Sequence, residues 1–219
     1  MSLVKTEFDF GWKKDISPLI MMIGNIILKS NSKAVLDIGC GTCQLANYLF
    51  RKNWRGKYYG IELRVYENYS YPQDIKLIIG NAYSVDFPKV DMVIMSNILE
   101  HVNDPVDLIK KAFTAADHIL INVPKRNEEM WRLDIVEYHQ LDKSHKHCGF
   151  NLEEIKGIIE LGGGKIITYK EHGEVNAFLV SRFFKNKLIK KVINLLAMVS
   201  STNVFYTEIF CKVEKRCHE

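Results

Sequence analysis

An α/β fold is predicted, with a mostly parallel seven-stranded sheet and helices on both faces. Three observations predict it. Residues 35–41 read Val-Leu-Asp-Ile-Gly-Cys-Gly, an apolar run that carries an acid and then breaks into glycines. Short apolar runs recur after it and alternate with segments of helical period, the rhythm of strand–helix–strand units. The chain is also 47% apolar over 219 residues, enough to bury a sizeable core.

Residues 16–30 are predicted as an amphipathic helix beside the sheet, with Ser17 as cap and Pro18 in the first turn. Gly24 and Asn25 interrupt its apolar stretch, which is too short to span a bilayer and lacks a small-residue cleavage site, so no secretory leader is expected. Ala34 to Ile38 is the first strand. It turns through Gly39-Cys40-Gly41 into a helix built on Leu45, Ala46, Tyr48, Leu49 and Phe50. Glycine lets the backbone approach a ligand without a Cβ in the way. Such a turn at the carboxyl end of a parallel strand is where open α/β sheets bind nucleotides.

The second strand, Lys57 to Ile61, ends at Glu62. An acid about twenty residues past a glycine turn can accept from both hydroxyls of a ribose; a solvated strand-end carboxylate is the plainer alternative. Leu63 follows it. The third strand, Ile75 to Ile79, leads into Gly80-Asn81-Ala82-Tyr83, where Asn81 can contact an adenine edge or simply shape the turn. The fourth, Val90 to Met95, opens into Ser96-Asn97-Ile98-Leu99-Glu100-His101. Asp104 or Asn103 caps the next helix, which has Pro105 in its first turn and Val106, Ile109, Phe113 and Ala116 at helical period. The fifth strand is His118 to Val123.

Residues 125–150 break the rhythm with polar and aromatic side chains, among them Tyr138, His145 and His147, as a lid over a site would. Asn151 and Glu154 form a capping box for a helix over 152–161. Strands are expected at Lys165 to Tyr169 and Val204 to Val213. Between them, residues 182–199 read as a basic amphipathic helix, either packed on the core or in peripheral contact with a membrane. One domain over 1–219 is expected: a helical extension (1–30), a cofactor-binding half (31–125), a lid (126–150) and a C-terminal half with the basic insert (151–219).

Several function classes are disfavoured. The dinucleotide pattern Gly-x-Gly-x-x-Gly fails at Gln44, and no phosphate-cradling Gly-x-x-x-x-Gly-Lys-Ser/Thr occurs. A net charge of +4 is too weak to argue nucleic-acid binding. Five irregularly spaced cysteines fit a reduced, cytoplasmic environment; the Cys40-x-x-Cys43 pair lies inside the glycine turn and has no second pair to complete a zinc site.

Asp37-Ile-Gly39-Cys40-Gly41-Thr42, together with Leu99-Glu100-His101-Val102-x-Asp104-Pro105, resembles class I methyltransferases that use S-adenosylmethionine (SAM). The second segment is similar to that of the ubiquinone-biosynthesis O-methyltransferases. The resemblance spans residues 33–125 and, more loosely, 145–163. It implies a Rossmann-like fold, SAM as cofactor, S-adenosylhomocysteine as product, and a small-molecule or glycan- or lipid-linked acceptor. It implies cofactor contacts at Asp37, Gly39, Cys40, Gly41, Glu62, Leu63, Asn81, Ala82, Ser96 and Asn97. The family pattern has glycine where this chain has Cys43, so less room is expected beside the methionine moiety. Some relatives bind a divalent ion through Glu-x-x-Glu-His; Asn97 replaces the first glutamate, so no metal is expected here, the alternative being a weaker three-ligand site of Glu100, His101 and a lid histidine. The Asn/Asp-Pro-Pro-Tyr/Phe motif of nucleic-acid amino-methyltransferases is absent, and nucleic acid is not an expected partner.

Methyl transfer from a sulfonium needs orientation and a dry site above all. A hydroxyl acceptor also needs a group to take its proton, and histidine suits neutral pH. His101, His145, His147 and Tyr138 are the catalytic candidates. A non-catalytic SAM-binding or scaffold protein of the same fold is the rival reading.

Overall fold

The structure, a computed structural model, describes residues 17–66, 69–126, 142–172 and 208–216. Its elements in chain order are α1 (Pro18–Lys29), β1 (Ala34–Ile38), α2 (Gln44–Arg51), β2 (Lys57–Glu62), β3 (Ile75–Ile79), β4 (Met92–Ser96), a 3₁₀ turn (Leu99–His101), α3 (Pro105–Ala115), β5 (His118–Pro124), α4 (Leu152–Leu161), β6 (Gly164–His172) and β7 (Glu208–Lys215). The strands form one seven-stranded sheet in the order β3-β2-β1-β4-β5-β7-β6. The first five are parallel, and β7 runs antiparallel between β5 and β6. The order reverses between β1 and β4, so the glycine turn after β1 stands at the topological switch point.

Period-two alternation sorts the strand residues between the two faces of the sheet. Val35, Tyr58, Met92, Ile94, Leu120 and Phe210 pack under α1 and α2 with Ile23, Ile27, Leu45 and Leu49. Leu36, Ile38, Val93, Met95, Ile119, Ile121 and Val213 pack under α3 and α4 with Leu108, Ile109, Phe113, Ile155 and Ile159. Both faces are covered, as a sheet of parallel strands requires.

The helix ends follow their sequence signals. Ser17 Oγ accepts from Ile20 N, with Pro18 in the first turn of α1. Asn151 and Glu154 close a reciprocal capping box on α4. Asp104, not Asn103, caps α3, its Oδ1 accepting from Asp107 N at 2.9 Å.

Some boundaries differ from the sequence reading. β4 begins at Met92 because Val90 N and Asp91 N bond Ala115 O and Ala34 O in the turn before it. β6 reaches His172 because β7 pairs with it as far as Glu208. Residues 204–207 of the expected seventh strand, Tyr138 and the basic insert 182–199 lie outside the described residues. Among the described residues no helix is long and apolar enough to cross a membrane.

The cap assignment is tested by urea unfolding. Asp104→Ala is expected to lower stability by ~1 kcal/mol through loss of the bond to Asp107 N, and Asn103→Ala to leave it within about 0.5 kcal/mol.

Candidate active site

The glycine turn is pinned to its neighbouring strand. Gly39 N and Cys40 N both donate to Ile61 O, at 2.8 and 3.1 Å. Gly41 N donates to Glu62 Oε2 at 2.9 Å, and Leu63 N to Glu62 Oε1 at 2.8 Å. Gly39 and Gly41 have φ of 75° and 52°. A Cβ on Gly39 would stand 2.9 Å from Ile98 Cδ1, whereas one on Gly41 would meet nothing within 4 Å and would project into open space. A cleft of about 220 Å³ lies over this turn, lined by Ile20 and Ile23 of α1, by Asp37, Gly39, Cys40, Gly41 and Thr42, and by Ile94 and Ser96.

Cys43 does not crowd that cleft. It takes up the left-handed conformation (φ 55°) ahead of α2, is fully buried, and sets its Sγ 3.5 Å from Cys40 Sγ. Its side chain joins the core packed under α1 and α2 and does not line the cleft.

Asp37 is buried at the end of β1 and accepts a hydrogen bond from Tyr58 Oη. Burial raises its pKa to about 6; the bond from Tyr58 opposes the rise and the charge of Glu62 adds to it. Glu62 keeps a second lone pair on each oxygen beyond its two backbone bonds. Asn81 shapes its own turn, its Oδ1 accepting from Tyr83 N at 2.9 Å. Leu63 is 67% exposed beside Glu62.

Of the catalytic candidates, His101 and His145 meet. Their rings lie edge to face with centroids 4.5 Å apart, and Ser144 Oγ bonds His101 Nδ1 at 3.1 Å. Lys146 N and His147 N both donate to the carbonyl of Glu100, which hangs the loop 142–148 on the 3₁₀ turn. His147 turns elsewhere: its Nε2 bonds Val102 O at 3.1 Å and its ring leans on Phe150. The side chain of Glu100 is 1% exposed, and its Oε2 is buried with no hydrogen-bond partner among the described residues. Burial pushes its pKa up to about 8, its own backbone bond opposing, with the charges of Glu208 and Asp142 adding to the rise.

Ligand atoms of Glu100, His101 and His145 lie within 4.8 Å of one another. One carboxylate and two imidazoles suit a first-row transition metal. Asn97, at the first position of the Asn97-x-x-Glu100-His101 stretch, has its Oδ1 engaged by Asn122 instead.

Sequence reasoning missed a second group. Asn122 on β5 is 1% exposed and bonds Asn97, Glu208 and His172 at once. An asparagine inside Ile119-Leu120-Ile121-Asn122-Val123 was the available signal. Glu208 and His172 carried none, because only the long-range pairing of β6 with β7 brings them there.

A profile described as a methyltransferase domain matches residues 14–167. That is more than half of the sequence, and the chain belongs to this family. It is a methyltransferase, with the fold of the SAM-dependent enzymes. A SAM-dependent methyltransferase from Archaeoglobus fulgidus superposes with a TM-score of 0.58 at 16% identity, covering 90% of this chain and 94% of that one. The magnesium protoporphyrin IX methyltransferase of Synechocystis PCC 6803, solved with S-adenosylhomocysteine, gives 0.57 at 14% identity, covering 90% and 82%. The plantazolicin methyltransferase BamL, solved with a triazolic desmethylPZN analog and S-adenosylhomocysteine, gives 0.55 at 16% identity, covering 90% and 83%. No curated protein matches the chain in sequence.

Glu100 gives a signed pH dependence. Its pKa is raised on folding from the ordinary 4.5 to about 8. The protonated form therefore stabilises the fold fully below about pH 4.5, and that contribution is lost as pH rises through about 8. With a chelator present, urea midpoints are expected to fall between pH 5 and 8.5 in the wild type. In Glu100→Gln the fall should be smaller, by about 1.4 kcal/mol for each tenfold change in proton affinity removed. Equal slopes would place the Glu100 carboxyl in water.

Proposed function

We propose that this chain transfers the methyl group of SAM to a small-molecule acceptor, free or linked to a glycan or lipid. One observation carries the reading: the pinned, open glycine turn shares a rim of the sheet with buried acids and a polar network. Glu62 takes the ribose hydroxyls on its remaining lone pairs. The exposed face of Leu63 and the neighbouring Ala82 receive the adenine, and Asn81 bonds its edge. Gly39, Cys40 and Gly41 let the backbone pass close to the ligand. Asp37, Ser96 and Asn97 border the methionine moiety.

The residues present fit the cofactor on grounds of their own. Gly41 leaves room that a side chain would take. The carboxylates of Asp37 and Glu62 repel each other, which a cation between them relieves. Bound SAM supplies an electrophilic methyl group on a positively charged sulfur. The protein's part is to orient the donor and acceptor, exclude water and hold acids near the positive charge. The acceptor lies on the side of Asn97, toward β5 and the loop 142–148, where His101 and His145 can meet it. His147 braces that loop, and Tyr138 belongs to the same expected lid. Two structural neighbours support a small-molecule acceptor, since one was solved with a triazolic desmethylPZN analog and the other is named for magnesium protoporphyrin IX.

Calorimetry tests the cofactor. SAM and S-adenosylhomocysteine are expected to bind, and Glu62→Ala to weaken both by ~1–3 kcal/mol through lost charge-assisted bonds. Tighter binding of NAD than of SAM would refute the reading.

A further inference from the structure

The network beyond Asn97 has a direction. Asn122 Nδ2 donates to Asn97 Oδ1 at 2.9 Å and to Glu208 Oε2 at 3.0 Å. Its Oδ1 lies 2.7 Å from His172 Nε2. With Nδ2 turned to both Asn97 and Glu208, the other end of the amide is its oxygen, which only accepts. The amide oxygen then faces the imidazole, and His172 Nε2 must carry the hydrogen. Nδ1 is left with its lone pair.

The surroundings keep this ring neutral yet able to take a proton. Burial lowers the pKa of His172, and Lys170 on its own strand lowers it further. Glu208 Oε2 stands 3.6 Å from Nε2, ready to face an imidazolium. The other nearby charges, Lys125 and Glu171, pair with each other at 2.8 Å. His172 is not sealed in; its side chain is 16% exposed. It is also on the right face. Alternation from Tyr58, Val35, Ile94, Leu120 and Phe210 puts Glu62, Asp37, Ser96, Asn122 and Glu208 on the α1–α2 side of the sheet. His172 is the cross-strand partner of Glu208 and shares that side. The ring stands two hydrogen bonds from Asn97.

We propose that His172 receives the acceptor's proton, and that the acceptor is a hydroxyl compound; this rests on the reading given under the proposed function. The hydroxyl oxygen forms the new bond to the methyl carbon while the carbon–sulfur bond breaks toward sulfur. The hydroxyl proton passes to His172 Nδ1. One positive charge disappears at sulfur and one forms on the imidazole, beside Glu208. The products are a methyl ether, S-adenosylhomocysteine and an imidazolium that returns its proton to water.

The tautomer can be read without knowing the acceptor. Long-range ¹H–¹⁵N spectra of histidine-labelled protein with S-adenosylhomocysteine are expected to show the His172 ring neutral at pH 7 and protonated on Nε2. His172→Gln assigns the signal by its loss, and Asn122→Leu should abolish the tautomer preference. A ring protonated on Nδ1, or charged at pH 7, overturns the proposal. In the second arm the probe is a deproteinised small-molecule cell extract with methyl-labelled SAM. His172→Gln, whose amide can still donate to Asn122, should bind S-adenosylhomocysteine within about twofold of the wild type, yet transfer label 10²–10⁴-fold more slowly. Its residual rate should lack the wild-type fall at acid pH, which the lowered pKa of His172 puts below the ordinary histidine value of 6.5. Undiminished transfer overturns the proposal. Failure of the wild type to bind S-adenosylhomocysteine would overturn the cofactor reading instead.

Discussion

Everything at this site depends on the two-residue repeat of a sheet whose parallel strands end at one level. That repeat puts Glu62, Asp37, Ser96, Asn122 and Glu208 on a single face, from five strands far apart in sequence. The same face is roofed by α1, whose Ile20 and Ile23 line the cleft. A one-residue slip in any of these strands would turn its polar side chain into the opposite core. Apolar packing on both faces therefore enforces the geometry of the polar rim, which could not hold itself together.

The rim is anionic and partly dry, and its acids are expensive to ionise. Burial lifts Asp37 to about 6 and Glu100 to about 8, and raises Glu208 as well. Asp37 keeps Tyr58 as a donor and Glu208 keeps Asn122. Such a rim suits a positively charged ligand. A larger cleft of about 470 Å³ lies at the opposite, amino end of the strands, lined by Ser30, Lys33, Asp91, His118 and Lys212. It has neither the glycine turn nor the buried acids, so volume alone is a poor guide to this chemistry.

The glycine turn, the strand ends and the helix caps were legible in the sequence because their signals are local. Asp37 stands in β1 just before the Gly39–Gly41 turn, Glu62 closes the next strand, and Asn151 with Glu154 announces its helix by spacing alone, while the cap of α3 was narrowed to Asp104 or Asn103. Capping and turn chemistry act over three or four residues, so they survive a reading without coordinates. The histidine groupings were not legible in the same way. His145 meets His101 only because backbone bonds to the Glu100 carbonyl fold the loop back. His172 joins Asn122 through a β6–β7 pairing that brings together residues 36 positions apart. Sequence likewise shows the side chain of Cys43 but not that it packs into the core.

The central claim is that one rim of the sheet holds both donor and acceptor. A crystal structure with S-adenosylhomocysteine tests it most directly. The account predicts ribose hydroxyls on Glu62, the sulfur beside Ser96 and Asn97, and the open side of the sulfur facing Asn122 and His172. A ligand seated in the Ser30–Lys212 cleft, or a sulfur turned away from Asn122 toward β2 and β3, would contradict it.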